Sequence, residues 1–142
     1  MNSSINLLRA TAISLLVFTN SANAEVEIEG ACFKSTTHLA KNLILQYYFD
    51  SDRSMIVGGF VKYEGEKNSI PISLLRKAST SGVFEMRWLE LINGEITGIY
   101  ILREEENTIG ESKLEYTNTK TKKMALFNEI SNVSYCAALR QE

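Results

Sequence analysis

His38 is the only histidine in the chain, so a hydrolase built on a serine or cysteine nucleophile would have to use it as its base. It stands in the polar run Ser35-Thr36-Thr37-His38-Leu39, and no G-x-S-x-G elbow occurs anywhere to present a nucleophile to it. The expectation is a surface histidine and no catalytic residue. Glu64, Glu85, Glu90 and Glu95 could supply the paired carboxylates of glycoside hydrolysis. That chemistry rests on a carboxyl separation that a sequence does not contain, and glutamates on exposed strand faces and turns are common to soluble β proteins. Asp50-x-Asp52 opens like a calcium loop but lacks the glycine and the terminal glutamate at the required offsets. Neither the P-loop pattern nor the dinucleotide fingerprint is present, so no cofactor is expected. Asn132-Val133-Ser134 is a glycosylation triplet, which matters only in a host that glycosylates its exported proteins.

The two cysteines, Cys32 and Cys136, stand near opposite ends of the chain. Redox pairs are usually close, as in C-x-x-C, and zinc would need ligands beyond these two and His38, so no metal site is expected. One structural disulfide remains, joining the first part of the domain to the last. It suits a compartment outside the reducing cytoplasm.

The N-terminus points to the same compartment. Arg9 is the only charge before Glu25, and an apolar stretch, residues 10–18, follows it. Small and polar residues then lead to Ala22-Asn23-Ala24. This is the layout of a secretory signal cut after Ala24, giving residues 1–24 as signal peptide and residues 25–142 as a single β-rich domain. The apolar stretch is well short of the roughly 20 residues that span a bilayer, so no membrane anchor is expected after cleavage. Gly30-Ala31-Cys32 resembles a lipid-attachment box, but Glu25, Glu27 and Glu29 separate it from the apolar stretch. The formal net charge of −2 becomes more negative once Arg9 is removed. Nucleic acid is therefore not an expected partner, because phosphate binding needs a basic surface.

The elements that must position any site are strands. Residues 43–49, 55–63, 70–75, 83–91, 95–103, 112–116 and 123–127 are rich in β-branched, aromatic and large apolar side chains, with polar turns between them. Val26 and Ile28 alternate with glutamates as a short first strand, and residues 132–136 read as a last one. Residues 35–42 suggest a helical turn, and residues 137–142 a short helical tail. Asn93-Gly94 is a hairpin signal. Gly58-Gly59 inside a strand suggests a bulge, and Pro71, the only proline, marks an edge or a strand start. Ile96, Gly98, Tyr100 and Leu102 share one side of their strand. Ile56-Val57-Gly58 and Ile96-Thr97-Gly98 echo one another forty positions apart, which suggests two similar hairpins. The expected fold is mostly β: an antiparallel sheet of about eight strands closed as a small barrel or sandwich, with at most one or two short helices.

The stretch from Gly58 to Phe127 carries Tyr63-x-Gly65, Ile70-Pro71-Ile72, Gly94-x-Ile96-Thr97-Gly98-x-Tyr100 and Leu114-x-Tyr116-x-Asn118. In this punctuation it resembles small exported bacterial β proteins, among them the periplasmic lysozyme inhibitors. The resemblance implies a periplasmic or secreted domain and carries no functional residue across. The functional expectation is a non-enzymatic domain that binds another exported protein, as an inhibitor of a cell-wall hydrolase or a toxin-immunity factor. Lys120, Lys122 and Lys123, in the loop before the last long strand, are the residues expected to meet the acidic cleft of such a partner. The alternatives are a small-ligand carrier with an aromatic-lined barrel cavity, or a hydrolase revived by two neighbouring buried carboxylates.

Overall fold

The structure, a computed structural model, describes residues 25–38, 40–108, 111–132 and 134–137. The expected signal segment and the tail after residue 137 lie outside the described residues. Eight strands follow one another: β1 (Val26–Ser35), β2 (Leu43–Asp50), β3 (Met55–Tyr63), β4 (Ile70–Thr80), β5 (Val83–Ile92), β6 (Glu95–Glu105), β7 (Lys113–Asn118) and β8 (Met124–Glu129). Each pairs antiparallel with the next, and β8 returns to β1, which closes an up-and-down barrel. Among the described residues no helix is long and apolar enough to cross a membrane.

Alternation decides what fills the barrel. Phe84, Met86, Trp88 and Glu90 of β5 point inward, while Glu85, Arg87 and Leu89 alternate with them. Phe33, Leu43, Leu45, Val61, Met86, Trp88, Tyr100, Leu114 and Phe127 are almost fully buried in one cluster. The barrel middle is therefore packed with side chains, and any ligand would have to sit at an end.

The tight hairpins follow from their turn residues. Asn93-Gly94 has φ 53° and 80°, the left-handed pair that a two-residue hairpin needs. Ser81-Gly82 has φ 52° and 75° and does the same between β4 and β5. β4 consequently runs on to Thr80, through residues that read as a loop in the sequence.

The segments that echo in sequence share a device. In β3, Tyr48 pairs with Gly58 and Phe49 with Ile56, so Val57 is the extra residue of a bulge. In β6, Glu90 pairs with Gly98 and Leu91 with Ile96, so Thr97 is the extra residue. The second bulge also overturns one expected face. Ile96 lies beyond it and is 48% exposed, while Gly98, Tyr100 and Leu102 point inward.

Two expected elements are different structures. The segment after β1 is not helical in its described residues: Ser35 Oγ donates to Thr37 O (2.7 Å) and Thr37 N donates back to Ser35 Oγ (3.1 Å), a local turn. Residues 134–137 form a single helical turn instead of a last strand. Asn132 Oδ1 accepts from Ser134 N (3.0 Å) and Tyr135 N (3.3 Å), and this cap overrides the β preference of the neighbouring residues.

Candidate functional site

The register places two unlike surfaces at the two ends of the barrel. Tyr63, Glu90, Gly98, Tyr116 and Ala125 fall toward the end that carries the β1–β2, β3–β4, β5–β6 and β7–β8 connections. Glu29, Tyr47, Phe84, Glu104 and Glu129 fall toward the other.

At the first end, Glu90 is buried, with 3% of its surface exposed. Its position follows from the inward alternation of β5, which corrects its reading as an exposed strand glutamate. Thr97 Oγ1 (2.7 Å) and Tyr116 OH (3.1 Å) donate to one carboxyl oxygen, and Tyr100 OH (2.7 Å) donates to the other. Because the Tyr100 proton is committed to Glu90, Tyr63 OH donates to Tyr100 OH at 2.8 Å. The bulge at Thr97 aims that hydroxyl at the carboxyl group, and Gly98 leaves room for the Tyr116 ring. Burial, first, and the nearby carboxyl group push the Tyr116 hydroxyl up to about 12. The Tyr63 hydroxyl is likewise pushed up to about 12, chiefly by burial, and burial raises Tyr100 further still.

Tyr63 and Tyr116 also form the floor of an open cup of about 670 Å³. Ala40, Met124, Ala125 and Phe127 make its walls apolar, and Lys41 and Lys123 stand in its lining. Lys41 is ion-paired with Glu66. Lys123 makes no ion pair among the described residues. The volume lies within the usual range for sites that take small molecules.

The loop carrying the three candidate lysines sits beside this cup. Asn118 Oδ1 accepts from Lys120 N (3.0 Å) and Thr121 N (2.9 Å), which fixes the turn, and Lys122 has φ 59°. Lys120 Nζ approaches Glu95 at 3.4 Å on the exposed surface. Of the three, only Lys123 lines the cup.

The opposite end is acidic. Glu29, Glu104 and Glu129, with Tyr47 and Ser112, line a cavity of about 250 Å³ above Phe33, Leu45 and Leu102. Tyr47 OH donates to Glu29 at 2.6 Å, and Ser112 N donates to Glu129 at 3.0 Å. Burial, then the charges of Glu129 and Glu29, hold the Glu104 carboxyl above its ordinary value. Among the described residues no group of His, Cys, Asp or Glu is arranged to hold a metal ion.

The remaining candidates are dispersed. Glu85 is ion-paired with Arg87 (2.7 Å) and Arg103 (3.0 Å), and Glu64 bonds Asn42 and Tyr135. His38 is exposed. Asp50 caps its turn by accepting from Arg53 N at 3.1 Å, a structural use of the residue that opened the calcium-like pattern. The buried carboxyl group of Glu90 thus has hydroxyls around it, and among the described residues the other buried carboxyl group, Asp50, lies toward the opposite end of the barrel. Cys32 and Cys136 form a disulfide with a Cα–Cα distance of 5.5 Å. Beside it, Asn42 Nδ2 donates to Tyr135 OH (2.6 Å), and Tyr135 OH donates to Glu64 (2.9 Å). The C-terminal turn is thereby stitched to the connections around the cup.

Sequence reasoning found the disulfide but missed the tyrosine-ringed carboxyl group and the cup. The available signal was the period of β5, which carries Glu90 to the same side as Trp88. No family model, curated protein or solved structure matches this chain.

Proposed function

We propose that the protein is a non-enzymatic binding domain acting outside the cytoplasm, and that the cup end receives another exported protein. The observation that carries this reading is the cup itself: apolar walls, a floor of two hydroxyls, one held by a buried carboxyl group and the other by Tyr100, and Lys123 at its side. Such a surface suits an apolar side chain of the partner flanked by acidic groups. The Glu90 network lowers the cost of binding by fixing the floor in advance. The disulfide supports a compartment outside the reducing cytoplasm. A cell-wall hydrolase or a toxin with an acidic cleft is the partner class that this charge favours, and the domain would act on it as inhibitor or immunity factor.

The test is capture from periplasmic extract by the oxidised domain, compared with Lys120→Ala/Lys122→Ala/Lys123→Ala and with Met124→Glu. A captured protein whose affinity falls about tenfold or more in both variants supports the cup as the docking site. Unchanged affinity removes it. The cup's volume favours a second reading, a small amphipathic ligand with an anionic head. An anionic naphthalene dye that binds with similar loss in both variants, with no protein captured, selects that reading.

A further inference from the structure

The barrel closes over only part of its seam. The ladder between β1 and β8 covers Phe33–Ser35 against Phe127–Glu129. β8 then ends, and Ile130 N makes a last bond to Cys32 O at 2.8 Å. Cys32 O therefore faces the seam, and by strand alternation the backbone groups of Gly30, Ile28 and Val26 face it too. Among the described residues no strand pairs with them on that side. Two cavities, about 270 and 250 Å³, share Gly30, Ala31 and Glu129 in their walls, one outside the seam and one within the acidic end. The two cavities thus flank the gap, one on its outer side and one on its inner side.

A free strand edge is a template for another strand, and proteins usually block such edges. The barrel has a second parted seam, since β3 meets β4 only over Gly59–Val61 against Ile70–Ile72. There the free part of β4 carries a bulge at Leu75 and the charges of Arg76 and Lys77, which are blocking devices. The free part of the β1 edge, Val26–Gly30, has no proline, lysine or bulge, and its one blocking device is a pair of inward acidic charges. Its outward residues are Val26 and Ile28, and Ile28 is 63% exposed. Its inward residues are Glu27 and Glu29. Pairing with a second copy of β1 would set these glutamates against each other, which disfavours self-association.

We propose that the free edge of β1, Val26–Gly30, takes up an extended basic segment of a partner protein by strand addition. Inward lysine or arginine side chains of that segment would enter the cavity beside Glu29, Glu104 and Glu129. Its alternate apolar residues would lie outside, along Val26 and Ile28. Backbone hydrogen bonds to Ile28 and Gly30 supply the affinity, and the alternating pattern supplies the specificity. This site is at the opposite end from the cup, so either can fail without the other.

The probe is a short synthetic peptide alternating valine and lysine, tested on the full oxidised domain by fluorescence anisotropy and amide exchange. Three comparisons accompany it: a valine–glutamate peptide, the valine–lysine peptide N-methylated along one edge, and the Glu104→Gln/Glu129→Gln domain. The expected result is binding that slows exchange of the Ile28 and Gly30 amides and disappears on N-methylation. Binding should also weaken about tenfold or more in the double variant. Equal binding of the N-methylated peptide would mean charge adsorption without strand pairing and would overturn the proposal. So would absence of binding, or self-association of the unliganded domain with the Ile28 amide protected. N-methylation changes only the peptide, so the decisive comparison does not depend on how the variants fold.

Discussion

Glu90 is the residue on which the cup end is organised. Three hydroxyls point at its carboxyl group, and a fourth, from Tyr63, reaches it through Tyr100. Glu90→Ala would leave the buried Tyr100 hydroxyl and the half-buried Thr97 and Tyr116 hydroxyls without this acceptor, and a loss of about 3 kcal/mol in urea unfolding is expected. Glu90→Gln retains an acceptor oxygen and should cost less. Equal losses in the two variants would show that an isosteric side chain with one acceptor oxygen does not serve, and that both carboxyl oxygens are needed to receive the hydroxyls. The tyrosines give a second reading of the same network. An unfolded tyrosine ionises near pH ~10, while Tyr63 and Tyr116 are each pushed up to about 12 in the fold. A folded value above the unfolded one means stabilisation that is complete below the unfolded value and is lost as pH rises toward the folded one. Stability should therefore hold up to roughly pH 10 and decline above it, with the phenolate absorbance of these side chains appearing only in that window or on unfolding. Burial of Glu90 was open to reading from the Phe84, Met86, Trp88 period. Its partners were not, because Tyr63, Tyr100 and Tyr116 come from three different strands and only the closed register brings their hydroxyls together.

The strands themselves were legible because turn residues and alternation act locally. Asn93-Gly94 and the polar turn at residues 51–54 mark hairpins whatever the rest of the chain does. The misread elements are those where a short-range contact or a partner strand decides the outcome. Asn132 caps a helical turn that β-branched neighbours would not suggest. The Ser81-Gly82 turn extends β4 through polar residues whose only apolar support is across the ladder. At this scale the testable piece is the bulge of β6. A Cβ on Gly98 would lie 2.2 Å from a ring carbon of Tyr116. Gly98→Ala must displace that ring and its bond to Glu90, so a loss of about 1–3 kcal/mol is expected. Tyr116→Ala removes the obstacle, and the double variant should cost clearly less than the sum of the two single ones. Simple additivity in a double-mutant cycle would mean that the glycine is needed for its backbone and not for space.

In the whole molecule the weak line is the seam between first and last strands. It consists of a short ladder, the bond from Thr36 N to Leu126 O (2.9 Å), the bond from Ile130 N to Cys32 O, and the disulfide placed just beyond them. A link between positions 104 residues apart removes much of the freedom of the unfolded chain, and the loop model assigns it about 4–5 kcal/mol. Its place at the seam adds a local effect that the loop model does not contain. Without the bond, the C-terminal turn keeps the hydrogen bonds of Tyr135, and β1 keeps the short ladder and the two backbone bonds against β8. Reduction, or Cys32→Ser/Cys136→Ser, should lower the urea midpoint. It should also speed exchange at the Thr36 and Ile130 amides far more than at amides of the long β5–β6 ladder. Uniform acceleration would assign the bond a purely global role, acting on the unfolded chain. Acceleration confined to the seam would show that barrel closure, and with it the free edge of β1, is governed by the redox state of the compartment in which the protein works.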